Sequence, residues 1–141
     1  MNDKCNCKLI LKHDELYETL DTVFKNEFKV VYSSGDLILN YLRNHYIVSD
    51  TKKIFFVGHS YTSKTKDKIN YINRKKNITT RVNSQAVHNL LLSENQFLLI
   101  SSGSKKETAG FISGNIDEIE KARSYFNNLW DNGYSLYFGE R

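Results

Sequence analysis

Within the run Lys53-Ile54-Phe55-Phe56-Val57-Gly58, the four consecutive side chains Ile54 to Val57 are all apolar and aromatic or β-branched, so both parities of a strand are apolar there. A strand with one wet face alternates polar and apolar residues, whereas a strand without alternation is buried on both faces, as in a sheet covered by helices on two sides. The polar segment Gly58-His59-Ser60-Tyr61-Thr62-Ser63 follows, and then a lysine-rich stretch at about 64 to 76 that reads as a helix. Strand, loop and helix in that order place the chain in the α/β class. In open α/β sheets, ligands collect beyond the carboxyl ends of strands, and a helix starting there offers free backbone N–H groups to an anion. His59, Ser60 and Tyr61 are therefore pocket candidates, with Thr62 or Ser63 as the helix cap.

The rest of the chain continues the alternation. Residues 14 to 26 carry Leu16, Leu20, Val23 and Phe24 on one helical face, with Asp14 and Glu15 in the first turn, where acids suit the helix dipole. Phe28 to Tyr32 reads as a strand closed by Ser33-Ser34-Gly35, and Leu37, Leu39, Tyr41, Leu42 and Tyr46 mark a second helix. Ile78 to Val82 reads as a strand, and Val87 to Leu92 with Gln96 to Ser101 as a hairpin around Ser93-Glu94-Asn95. Ala109 to Ser113 is a further strand. Asn115 and Glu118 then have capping-box spacing ahead of a helix that buries Ile119, Ala122, Phe126 and Leu129, and Tyr134 to Phe138 is a final edge strand. The expected architecture is a mixed central sheet flanked by helices.

A chain of 141 residues with 40% hydrophobic content is long enough for one domain with a core and too short for two. The expected domain is 1–141, with residues 1–13 a flexible N-terminus. No apolar run approaches a membrane span, and the start lacks a secretory signal's apolar core, so a soluble, cytoplasmic protein without membrane contact is expected. Cys5 and Cys7, one residue apart, are badly placed for a disulfide with each other. They supply at most half a zinc site, with His13 the nearest further ligand, so neither metal nor cofactor is expected.

Charge is uneven. Lys52, Lys53, Lys64, Lys66, Lys68, Arg74, Lys75, Lys76 and Arg81 face one acid, Asp67, a local balance of +8 in a chain whose total is +4. Such a patch is the footprint of an anion, whether nucleic acid or a phosphorylated small molecule. It is equally the solvated face of one lysine-rich helix. Tyr71 among these cations has a ring able to stack on a base or to pack.

The segment from Ala86 to Gly103, followed by a helix ending in Leu129-Trp130, resembles the end of a phospholipase D-like half domain over about residues 50 to 131. In that superfamily one strand carries His-x-Lys-x-x-x-x-Asp, and the same frame here reads His88, Leu90 and Asn95. The downstream Gly-Ser-x-Asn falls by count on Ser102, Gly103 and Lys105, and a slip of one residue lets Gly103-Ser104 stand in. The resemblance implies a phospholipase D-like half domain whose catalytic motif is degenerate. In the family the histidine attacks a phosphodiester, the lysine balances the phosphoryl charge and the carboxylate orients the ring. Leu90 brings no charge, and Asn95 cannot stabilise an imidazolium as a carboxylate does.

Two functions follow from the resemblance. The first is a non-catalytic binding or sensor domain, similar to effector domains of archaeal TrmB-type transcription regulators, holding an anionic or polar ligand near His88, His59, Ser60, Tyr61, Asn95, Ser102 and Ser104. Residues 1–49 lack the three-helix-plus-wing pattern of a winged helix, which implies a separate DNA-binding partner or an oligomeric module acting alone. The second is a residual phosphodiesterase or nuclease: single half domains pair as homodimers that bring two histidines together, and Lys105 is then a cation within reach of the cleft. Both imply a homodimer.

Overall fold

The computed structural model describes residues 7–25, 30–44, 53–94, 96–102 and 108–135. Among the described residues, eight strands form one sheet: β1 (Cys7–Ile10), β2 (Val30–Ser34), β3 (Lys53–Gly58), β4 (Ile78–Val82), β5 (Asn89–Leu92), β6 (Phe97–Ser102), β7 (Thr108–Ser113) and β8 (Tyr134–Ser135). Four helices among the described residues accompany them: α1 (His13–Lys25), α2 (Asp36–Asn44), α3 (Lys66–Asn73) and α4 (Ile116–Asp131). The order across the sheet is β1-β7-β6-β5-β2-β3-β4-β8. The β2, β3 and β4 strands are parallel, joined by α2 and α3, while β5 runs antiparallel to β2 and leads into the β5-β6-β7 meander.

The unbroken apolar run explains the layering. Ile54 and Phe56 point into a core shared with Leu16 and Leu20 of α1, Ile38 and Leu42 of α2, and Ile69 and Ile72 of α3. Val57 and the partly buried Phe55 point into a second core, made with Ile119, Ala122, Phe126 and Leu129 of α4. The β3 strand is thus covered on both faces, as its lack of alternation requires. Four rings pin α4 to the sheet: Tyr32–Phe55, Tyr32–Phe126, Phe55–Trp130 and Phe126–Trp130 have centroids 5.5, 5.1, 5.4 and 5.9 Å apart, within the range of favourable aromatic pairs.

Several local expectations are corrected. Cys7–Ile10 is an edge strand paired with β7, and Ile10 is buried, so the expected flexible stretch 1–13 contains a strand and the first residue of α1. Ser33 and Ser34 extend β2 instead of forming the turn, both fully buried; Ser33 Oγ donates to the Phe55 carbonyl. The α3 helix spans Lys66–Asn73, shorter than 64 to 76, because Thr62 to Thr65 forms a separate turn. Its N-cap is Thr65, whose Oγ1 donates to the Ser60 carbonyl and accepts from the Thr62 N–H. At α4, Asn115 caps the Asp117 and Glu118 N–H groups as its spacing predicts. The Glu118 carboxylate reaches back through Ser113, whose hydroxyl donates to Glu118 and accepts from the Asn115 N–H.

One junction positions the site. Where β2 turns into α2, Gly35 has φ +101°, a left-handed conformation that L side chains rarely adopt. A Cβ there would stand 2.2 Å from Asn89 Oδ1 and 2.7 Å from the His88 carbonyl oxygen. Ser34 Oγ donates to that carbonyl (2.9 Å), and the Leu37 N–H, orphaned in the first turn of α2, donates to Asn89 Oδ1 (2.8 Å). Gly35→Ala therefore combines backbone strain with a clash against backbone, and we expect a loss of at least about 2 kcal/mol, measured by urea denaturation. A loss below about 0.5 kcal/mol, the range of a neutral surface change, would contradict this packing.

Candidate functional site

Strand alternation decides which way His88 faces. Leu91 lies in the α1–α3 core while Leu90 and Leu92 lie in the α4 core, so a residue two before Leu90 belongs on the α4 side. His88 is exposed there, just ahead of β5, with its ring 6.0 Å from that of Tyr125. Together they border a groove of about 340 Å³. Its floor is Leu90, Phe97, Leu99 and Ala122, and its rim adds Glu118 and Lys121. Leu90, which stands where the resemblance places a lysine, is 2% exposed. The groove thus carries an imidazole over an apolar floor, with a cation supplied from α4.

Glu118, Lys121 and Tyr125 were not identified as site residues from the sequence. Their spacing along α4 puts them on one helical face, offset from the core face of Ile119, Ala122, Phe126 and Leu129. That periodicity was the available signal, but which sheet residue the face would meet depended on the β5 register.

The other expected site residues disperse. His59 lies at the carboxyl end of β3, but in a different cleft of about 480 Å³, with Tyr17, Asp36, Asn40, Val87 and Asn89. Its Nδ1 is buried without a hydrogen-bond partner among the described residues. Tyr61 donates its hydroxyl to Asn70 Oδ1 (2.8 Å) and packs on the α1–α3 core, and Ser60 meets Thr65 through its carbonyl, so neither lines the groove or the cleft. Ser102 is described only through its backbone pairing with Thr108. Asn95, Ser104, Lys105 and Cys5 lie outside the described residues. Among the described residues, no group of three or more His, Cys, Asp and Glu side chains is placed to hold a metal, and no helix is long and apolar enough to cross a membrane.

The basic segment divides between the two sides of the sheet. Lys64, Lys66, Arg74 and Lys76 are exposed on or beside α3, and Lys68 donates to Asn40 Oδ1 of α2 (2.6 Å). Tyr71 is engaged by two cations: Lys75 Nζ and Arg43 Cζ, the latter from α2, each lie 4.6 Å from its ring centroid. Arg81 does not join them. It pairs in register with Val57, faces the α4 side, donates to the Trp130 carbonyl (2.6 Å) and stacks 4.5 Å over the Trp130 ring.

No family model matches the sequence, and no curated protein does. Solved structures do match the fold. NucT from Helicobacter pylori shares 11% identity over 94% of this chain and 100% of its own, with a TM-score of 0.72. Nuc from Salmonella typhimurium, a phospholipase D family member, shares 11% over 96% of this chain and 100% of its own, with a TM-score of 0.69. TrmBL2, an archaeal chromatin protein with a novel mode of DNA binding, shares 8% over 93% of this chain and 54% of its own, with a TM-score of 0.66. The fold is phospholipase D-like, as the order of elements around His88 implied.

Burial against the groove raises the Tyr125 phenol above its ordinary value of 10.0. The folded state therefore holds this proton more tightly than the unfolded chain does, and stability linked to it is complete below pH 10 and falls as pH rises through the raised value. Tyr125→Phe should flatten that alkaline loss in urea denaturation series run at increasing pH. Superimposable slopes for the two proteins would contradict this partial desolvation of the phenol.

Proposed function

We propose that this phospholipase D-like domain is a non-catalytic binding or sensor module that recognises an anionic or polar group at His88. The observation that supports this reading is the apolar floor under the imidazole, with Leu90 buried between Phe97 and Leu99. Preorganised charge is usually the largest contribution to such chemistry, and here the position nearest the histidine offers none. A guest with a charged or polar end toward His88 and Lys121, and an apolar body on Leu90 and Phe97, matches the groove.

The module works as a homodimer in this reading. From Leu90 the register runs to Leu99, then Phe111, then Leu9 across β5, β6, β7 and β1. Leu99 is 36% and Leu9 60% exposed, so this apolar row lies open beside His88 and suits a second copy of the chain. A separate DNA-binding partner would complete a role in transcription regulation. The purified protein should not turn over bis(p-nitrophenyl) phosphate or nick plasmid DNA above the level of its His88→Ala variant. Turnover lost in that variant would establish the phosphodiesterase instead, with Lys121 as the migrated cation. In analytical ultracentrifugation, Leu99→Glu should convert dimer to monomer, and an unaltered dimer would remove this face as the interface.

A nucleic-acid-binding reading is favoured by a separate observation, the cationic ridge of Arg43, Lys64, Lys66, Arg74, Lys75 and Lys76 along α2 and α3. It lies across the sheet from the His88 ring, so a polyanion held there is bound and not presented to the histidine. Binding to duplex DNA should weaken steeply with salt, and removing Lys64 and Lys66 should lower the log–log slope by about one per lost phosphate contact. Absence of binding at low salt would end this reading.

A further inference from the structure

The cleft that contains His59 is a second site, separated from the His88 groove by the sheet. It opens at the carboxyl ends of β2 and β3, beside the point where the sheet changes from the parallel β2-β3 pair to the antiparallel β2-β5 pair, and in open sheets ligands collect beyond the carboxyl ends of strands. We infer that it binds a small zwitterion, a molecule carrying a protonated amine and a carboxylate, of the class of the α-amino acids.

The polar groups of the cleft are already oriented by their own hydrogen bonds. Asn40 Oδ1 accepts from Lys68 Nζ and Asn89 Oδ1 accepts from the Leu37 N–H, which leaves both amide NH₂ groups to donate. Asp36 is exposed, lines the cleft and has no ion-pair partner among the described residues. Asp36 and Asn40 are four residues apart, one above the other on α2, so an anionic acceptor and a neutral donor backed by an ammonium stand about one helical turn apart. A lone anion would be drawn by Lys68 and repelled by Asp36, and a lone cation the reverse. A dipolar guest satisfies both ends, its ammonium at Asp36 and its carboxylate at Asn40 and Asn89. The buried His59 Nδ1 has no hydrogen-bond partner among the described residues, and a polar group of the guest would provide one. Tyr17, Leu37 and Val87 leave apolar surface for a side chain within about 480 Å³.

The inference is independent of the reading of the His88 groove, and one experiment separates them. Isothermal titration calorimetry of the purified chain is run with each standard amino acid, and with butylamine and butyrate as probes of single charge. At least one amino acid should bind, at least about tenfold more tightly than either single-charge probe, and Asp36→Asn and Lys68→Met should each weaken it by about tenfold, or about 1.4 kcal/mol. His88→Ala, on the other side of the sheet, should leave that affinity unchanged whatever it does to the groove. No heat from any amino acid at about 10 mM, far above typical site affinities, would overturn the inference. So would butylamine or butyrate binding as tightly, or full affinity retained in both Asp36→Asn and Lys68→Met.

Discussion

The hydrogen bond from the Leu37 N–H to Asn89 Oδ1, made across the sheet over the bare Cα of Gly35, is the constraint on which the rest of the molecule depends. An orphan donor at the start of α2 is met by a residue 52 positions later, which ties the parallel half of the sheet to the meander. It also sets the strand phase. With Asn89 held on the α2 side, His88 must project to the α4 side, so two adjacent residues serve two different cavities. Any side chain at Gly35 would push this backbone away, and the imidazole with it.

What the groove can do is decided by what surrounds the ring. A phosphodiester needs concentrated positive charge at the reacting oxygens, but the groove floor beside the ring is Leu90, Phe97 and Leu99, and the pairing of Asn89 with Ile100 puts Ser101, also uncharged, across from His88. Lys121 reaches the same groove from a helix, with Glu118 one turn before it, so the positive charge at the rim is placed for holding a polar group and is partly offset by a carboxylate. The α2–α3 ridge carries a much larger charge, but on the other side. Recognition and charge are thus arranged on separate surfaces of one sheet, and the family likeness of the fold does not by itself join them.

Much of the architecture was legible because it rests on periodicity. The unbroken run at Ile54 to Val57 correctly marks a strand buried on both faces, and the stripe of Ile119, Ala122, Phe126 and Leu129 correctly marks the core face of α4 with its Asn115 cap. Short elements escaped. Cys7–Ile10 has too few residues to show a pattern and becomes a strand only because β7 offers an open edge. The α4 residues that border the groove beside His88 were not legible. Placing His59 and His88 together assumed that neighbours at the strand ends share a cavity, whereas alternation along β5 sends His88 to the opposite side. Arg81 looked like part of the lysine-rich segment because it is near in sequence, yet its parity on β4 turns it to Trp130.

Hydrogen exchange at the Leu37 amide is the most direct test of the junction that orients both cavities. The account predicts that this amide, though in the first turn of a helix, is protected as strongly as the core strands and exchanges only on global unfolding, and that Asn89→Ala removes the protection. Fast exchange at Leu37 in the wild-type protein, at the rate of an ordinary exposed helix start, would contradict it.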